Sequence, residues 1–240
     1  MRKHLLQVAA FLTAAVILYG CSKSSSTTNP PSSTAPTIPS VTFSGPTTTS
    51  SDQYAQMTKS YALMFNGLSS YFTAYQGLHA AQNGNTWSWT YSNPATNFTG
   101  TLTVTQQSSG GYSWKLVLNG KESATDTVTY NNWTAMTGTT SSDGKSGSWT
   151  IYNENTAIIA ALYTWSTSSS GTLTGTLKSY SNTGTLEATI TVTNNPDKSG
   201  EVDIYSGTTL VFKATWIANG SGQWWTYDNS GTQTGTGTWT

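Results

Sequence analysis

From Thr86 to the C-terminus apolar residues recur at every second position, and a chain patterned this way can bury them only by forming β-strands with one face inward. Trp87, Trp89 and Tyr91 alternate with Ser88 and Thr90, and Phe98, Leu102 and Val104 with threonines. Trp114, Leu116 and Leu118 follow the same rule around Lys115, as do Leu186, Ala188, Ile190 and Val192 around Glu187 and threonines. Turn signals separate the runs: Gly110-Gly111, Asn119-Gly120, Asp143-Gly144, Gly184, Pro196 to Gly200, Gly207, Asn219-Gly220 and Gly231. Asn-Gly and Asp-Gly favour the tight turn whose two central residues both take positive φ, the turn that joins antiparallel neighbours. The spacing predicts about 11 or 12 strands in sequential hairpins, an antiparallel meander.

One helical stretch precedes the strands. Tyr54, Met57, Tyr61, Met64, Leu68, Tyr71 or Phe72, and Tyr75 recur at three- and four-residue spacing behind the capping pair Ser51-Asp52. Gly67 and Gly77 would each cost about 1 kcal/mol in a helix interior, which places a break near Asn66-Gly67. Two runs, Ile158 to Trp165 and Leu210 to Ile217, are apolar on both faces, and a strand of that kind calls for cover on both sides. The helix is the available cover. The expected fold is therefore mainly β: a curved or barrel-like sheet with one N-terminal helix, whole or broken, packed on it, a two-sheet sandwich being the competing arrangement. Gly100, Gly175 and Gly235 fall inside strands and mark room for that helix. Trp165 followed by Gly171-Thr172-Leu173-Thr174-Gly175-Thr176 recurs as Trp225 followed by Gly231-Thr232-Gln233-Thr234-Gly235-Thr236, a hint of repeated hairpins.

The first residues form a separate segment. Arg2 and Lys3 are followed by an apolar stretch from Leu5 to Leu18, broken by Gln7 and Thr13, a targeting pattern shorter than the roughly 20 residues of a spanning helix. Leu18-Tyr19-Gly20-Cys21 resembles the lipobox of bacterial lipoproteins, with Tyr19 bulkier than the residue usual there. The resemblance covers residues 1–21 only. It implies a signal peptide over 1–20, a thioether-linked diacylglycerol on Cys21, acylation of the new amino group, and, with Ser22 rather than Asp next, passage to the outer membrane. Cys21 is the sole cysteine, so no intrachain disulfide can form. One acyl chain holds a protein only marginally, and two or three hold it durably. Residues 21–50 are dominated by Ser, Thr and Pro with Lys23 the only charge, the composition of a disordered stalk. Ile38, Val41 and Phe43 stand apart as a first strand or a docked segment. Residues 51–240 read as a single domain.

Charge excludes some partners. Only 8% of the chain is charged, and cleavage before Cys21 leaves eight lysines and no arginine against ten carboxylates. Nucleic acid is excluded for want of a basic patch. His79 is the one histidine left after cleavage, no Gly-x-Ser-x-Gly elbow occurs, and one histidine without a spare cysteine excludes the common closed zinc sites. Asn194-Asn195-Pro196-Asp197 lacks the spacing of a calcium loop and reads as a turn. No metal, cofactor or catalytic residue is assigned. The nearest carboxylate pairs are Glu201 with Asp203, which alternate with Val202 and Ile204 and so point outward, and Glu122 with Asp126.

Aromatic residues are in surplus. Trp224 and Trp225 are adjacent on one strand and must face opposite sides, and Trp133 follows Asn131-Asn132. Trp133, Trp224 and Trp225 are the candidate binding residues, set against the alternative that their rings cover a second sheet face. The functional expectation is a lipid-anchored envelope protein that binds a hydrophobic ligand, a glycan or a protein partner without catalysis. A carboxylate-dependent glycoside hydrolase is the alternative.

Overall fold

The computed structural model describes residues 34–37, 39–67, 75 and 77–240. The signal segment and Cys21 lie outside the described residues. Thirteen strands follow one another: β1 (Ala81–Asn83), β2 (Thr86–Asn93), β3 (Phe98–Gln106), β4 (Tyr112–Gly120), β5 (Tyr130–Thr140), β6 (Ser146–Tyr152), β7 (Ile159–Thr167), β8 (Leu173–Tyr180), β9 (Leu186–Asn194), β10 (Gly200–Ser206), β11 (Thr209–Trp216), β12 (Gly222–Tyr227) and β13 (Gln233–Trp239). Each pairs antiparallel with the next, so the expected meander is the fold. The count exceeds the expected one because a strand as short as β1, three residues, shows no alternation. No pairing joins β13 back to β1 among the described residues. The sheet is open, with two edges.

One buried cluster draws residues from Trp87 on β2 to Trp239 on β13. A flat sheet of this many strands would be about 60 Å wide at ~4.8 Å per strand, so a single core on one face requires the sheet to curve around it. Inner-face residues pair directly across the strands: Trp87 with Val104, Val104 with Trp114, Trp149 with Tyr163, Leu177 with Ile190, Ile190 with Ile204.

Helix α1 (Gln53–Met64) lies on this concave face against β9, β10 and β12. Asp52 caps it as expected, its Oδ1 accepting the N–H groups of Tyr54 at 2.8 Å and Ala55 at 2.9 Å. The expected contact face needs correction. Tyr54, Met57, Tyr61 and Met64 are half-buried flanks, and the residues fully buried are Ala55, Thr58 and Ala62. Small side chains along that line bring the helix backbone close to the sheet, and the larger ones splay to either side. A tighter turn ends at Gly67, where the sequence places a break; Leu68, Tyr71 and Phe72 lie outside the described residues. Room for the helix segment is visible at two of the strand glycines, since a side chain at Gly175 would meet the Phe43 and Phe65 rings and one at Gly100 the Tyr75 hydroxyl.

The two strands read as apolar on both faces are not covered on both. Their pattern comes from β-bulges, which place two residues opposite one. Between β10 and β11 the register shifts after Ile204 so that Val211 is the extra residue, and both Val211 and Phe212 are buried, at 8% and 3% exposure. A shift between β6 and β7 likewise makes Ala160 the extra residue, 2% exposed. Leu162 stays half-exposed on the outer face, while Ile158 and Ile159 are exposed.

The turns differ from expectation in one respect. At Asn219-Gly220 only the glycine has positive φ, +89°; Gly220 N–H bonds to Ile217 O at 2.9 Å and Ile217 N–H to Ser221 O at 3.0 Å. That is a three-residue loop with its glycine in the left-handed region, not the two-residue turn. The same bonding recurs at Ser181–Thr185 and Asp228–Thr232.

Ahead of the helix, residues 39–50 carry no strand but are docked. Phe43 is 1% exposed, with its N–H bonded to Asn66 Oδ1 at 2.7 Å and its carbonyl accepting Asn66 Nδ2 at 2.9 Å. Ser44 N–H reaches Asn194 Oδ1 at 2.7 Å, and Thr48 Oγ1 donates to Thr240 O at 3.2 Å. The packed part of the chain thus reaches back past residue 51, the boundary that composition suggests. Val41 is half-buried, and Ile38 lies outside the described residues.

Candidate functional site

Alternation separates the candidate tryptophans. Trp224 is on the concave side, its ring 3.9 Å from that of Tyr54 centroid to centroid, and a side chain at Gly237, its partner across the sheet, would strike it. Trp225 therefore faces outward, half-exposed, paired with Lys213 on one side and Thr236 on the other. Trp133 is concave-facing and packs against the core; it stacks on Tyr130 at 5.2 Å and 18°, and its Nε1–H donates to Thr156 O at 3.0 Å. Of the three rings, Trp225 alone lies on the outer face.

That face has a consistent chemistry. One uninterrupted row of paired residues crosses it: Thr86, Thr105, Ser113, Thr139, Ser148, Thr164, Thr176 and Thr191, then Asp203, Lys213, Trp225 and Thr236. Hydroxyls bond across it, as Thr86 to Thr105 at 3.0 Å and Thr139 to Ser148 at 3.1 Å. Lys213 stands between Glu201 and Asp203, 2.5 Å from the first and 3.2 Å from the second. Burial, then the hydrogen bond and charge of Glu201, push Asp203 up to about 6 against the opposing pull of Lys213. Burial disfavours the Lys213 ammonium, but the two carboxylates together raise its pKa above the ordinary value.

The other carboxylate pair joins a second cluster at the start of β5. Tyr130 Oη lies 3.1 Å from Glu154 Oε1 and 3.4 Å from Glu122 Oε1, so its single proton serves one at a time. Burial and then the charge of Asp126 raise the Glu122 pKa, Glu154 adds to this, and the Tyr130 hydrogen bond opposes it. Asp126 is occupied by Ser123 N–H at 2.7 Å. Burial, reinforced by the Glu122 charge, raises the Tyr130 phenol. His79 is exposed in the connection before β1. Among the described residues no group of three or more His, Cys, Asp and Glu side chains is arranged to hold a metal ion, and no helix is long and apolar enough to cross a membrane.

A repeat written in the even strands escapes a reading based on Gly-Thr runs. Ser146–Tyr152 (SGSWTIY), Thr174–Tyr180 (TGTLKSY), Ser199–Tyr205 (SGEVDIY) and Ser221–Tyr227 (SGQWWTY) share a glycine, an apolar residue two positions on, and a tyrosine five positions on. Glycine and apolar residue face the core and the tyrosine faces out. In three of the hairpins a tryptophan on the following strand stands over the glycine: Trp165 over Gly147, Trp216 over Gly200, Trp239 over Gly222. Each donates its Nε1–H into the preceding turn, to Gly144 O at 3.1 Å, Lys198 O at 3.1 Å and Gly220 O at 2.7 Å. The recoverable signal was the constant Gly-to-Tyr spacing, which places Tyr152, Tyr180, Tyr205 and Tyr227 on one face.

No protein-family model matches the chain, and no curated protein matches it.

Proposed function

We propose that this chain is a lipid-anchored protein of the bacterial envelope, held in the outer membrane by acyl chains on Cys21, whose β domain binds a partner through the outer face of its sheet and does no chemistry. The anchor rests on the Leu18 to Cys21 pattern. The binding role rests on one observation above all: a tryptophan, Trp225, held half-exposed on the outer face between Lys213 and Thr236, although its neighbour Trp224 turns to the concave side and packs against the core. An indole left partly in water offers an apolar face with a polar edge, suited to stacking on a ligand.

Paired alanine variants test this. Trp225→Ala should melt close to the parent, since surface changes cost under about 0.5 kcal/mol, while weakening ligand adsorption by tenfold or more. Trp224→Ala should cost more stability, because it removes a half-buried ring that packs on Tyr54 and the core. Equal destabilisation by both, with no selective loss of binding, would show that Trp225 serves only the fold.

A second reading, glycoside hydrolysis, draws on the Glu122, Tyr130 and Glu154 contact, because such chemistry uses two carboxyl groups placed near one another. Glycan turnover that disappears in Glu122→Gln or Glu154→Gln would favour it over binding alone.

A further inference from the structure

Strand β13 has a neighbour, β12, on one side only; among the described residues no strand pairs with its other edge. Its side chains at Gln233, Thr234, Thr236 and Thr238 are exposed. An unpaired edge is a row of backbone donors and acceptors ready to add a strand, and proteins commonly block it with a charge, a proline or a very short strand. β1, at the opposite edge of the sheet, spans only three residues. β13 is longer, and Gln233-Thr234-Gly235-Thr236-Gly237-Thr238-Trp239 holds neither a charge nor a proline. Its bulge makes Thr234 the extra residue beside Tyr227. The regular run that remains is Gly235 to Trp239, and its midpoint is Gly237.

A ladder of alternating glycine and tryptophan ends at this edge. Gly200 pairs with Trp216, Trp216 with Gly222, and Gly222 with Trp239. Trp165 likewise stands between Gly147 and Gly175. Glycine admits the wide indole, since a side chain at Gly147, Gly200 or Gly222 would strike the ring across from it. Trp239, the last rung, has Gly222 on one side and no strand on the other. On the outer face the sheet sets threonine against threonine, as at Thr90 with Thr101 and Thr176 with Thr191. Thr236 and Thr238 carry that surface to the edge.

We infer that β13 is the interface of a symmetric dimer, in which β13 of a second copy of this chain adds antiparallel about a two-fold axis through the facing Gly237 residues. The symmetry fixes every other pair. Gly235 of each copy falls beside Trp239 of the other, which adds one rung to the ladder, and Thr236 of each falls opposite Thr238 of the other on the outer face. No charge meets a like charge along the strand. A second copy thus continues both patterns by which β10 to β13 are already joined, and that continuity selects it over an unrelated strand. The two-fold axis uses β13 on both sides and closes the assembly. Growth stops at the dimer because β1 is too short to extend the sheet. Pairing ends at Trp239, beyond which the Thr240 carbonyl accepts the Thr48 hydroxyl at 3.2 Å. The interface is independent of the binding role proposed for Trp225, which lies one strand further in.

Sedimentation of the mature chain carrying Cys21→Ser, so that no acyl chain drives association, tests this over a concentration series reaching about 1 mM, the regime that tethering creates. A monomer–dimer equilibrium without larger species is expected. Thr236→Lys with Thr238→Lys sets lysine opposite lysine and should weaken the dimer at least about tenfold, as should Thr236→Glu with Thr238→Glu. Mixing the two double variants should restore it, because each lysine then faces a glutamate. Thermal melts establish that both are folded. If either is not, amide hydrogen exchange of the parent replaces them, with the edge-facing amides between Gly235 and Trp239 expected to gain protection as concentration rises. A monomer at every concentration, open-ended growth, a dimer indifferent to the folded double variants, a mixture that stays monomeric, or exchange at β13 independent of concentration overturns the inference.

Discussion

Trp216 on β11 stands directly over Gly200 on β10, and its indole N–H reaches past it to the carbonyl of Lys198 at 3.1 Å. The glycine is required by the ring and the ring is held by the turn, so each hairpin of this type carries its own fastening. Gly200→Ala should cost about 1–3 kcal/mol, the usual penalty for overfilling a packed site. Gly77→Ala, where a side chain would meet nothing within 4 Å, should change little. Thermal melts of the two variants check this, and equal melting would show that the ring yields without cost.

The helix contact line supplies a second expectation. Ala62 is 0% exposed between α1 and the sheet, and Ala62→Leu adds three carbons where no space exists. A loss of about 1–3 kcal/mol is expected by denaturant titration. A variant as stable as the parent would mean that α1 moves away from the sheet freely.

Asp203 gives a pH dependence whose sign can be worked out. Its carboxyl is raised from 3.8 to about 6, by burial first and by Glu201 second. The folded protein keeps this proton at pH values where the unfolded chain has lost it, so the contribution is full below about 4 and is lost as pH rises through about 6. Asp203→Asn, neutral throughout, should flatten the fall of melting temperature over that window. Parallel slopes for parent and variant would locate the dependence elsewhere.

Lipidation is the most direct expectation for the N-terminal segment. Cys21→Ser should abolish labelling by a radioactive or clickable fatty acid and release the protein from the membrane fraction, with the β domain still folded by circular dichroism. Labelling that persists in this variant would refute the anchor.

Local pattern determined much of this protein. The alternation from Thr86 onward gives a strand two distinct faces wherever it lies, the turn glycines limit where each strand ends, and Asp52 caps its helix through bonds only two and three residues away. All of these depend on neighbours in the chain and are legible there. Parity likewise sends Trp224 and Trp225 to opposite sides, and places Glu201 and Asp203 outward. What parity does not say is which of the two tryptophans faces the core. That follows from the register with β11, which sets Trp224 beside Ala214 and Trp225 beside Lys213, and from the helix that brings Tyr54 onto the concave side. The run from Leu210 to Phe212 looks two-faced in sequence because a bulge, a property of two paired strands, breaks the alternation of one of them. Residues 39–50 read as stalk by composition with Val41 and Phe43 set apart as a first strand or a docked segment; Phe43 is docked and buried, and only the fold shows the partners, Asn66 and Asn194, remote in the chain, that bond its backbone and that of Ser44. Sequence alone determined the periodic elements and their order, since hydrogen bonding and burial over a few residues suffice for that. Tertiary structure decided the inside from the outside, because only the curvature of the sheet and the helix laid on it make one of two equivalent faces dry.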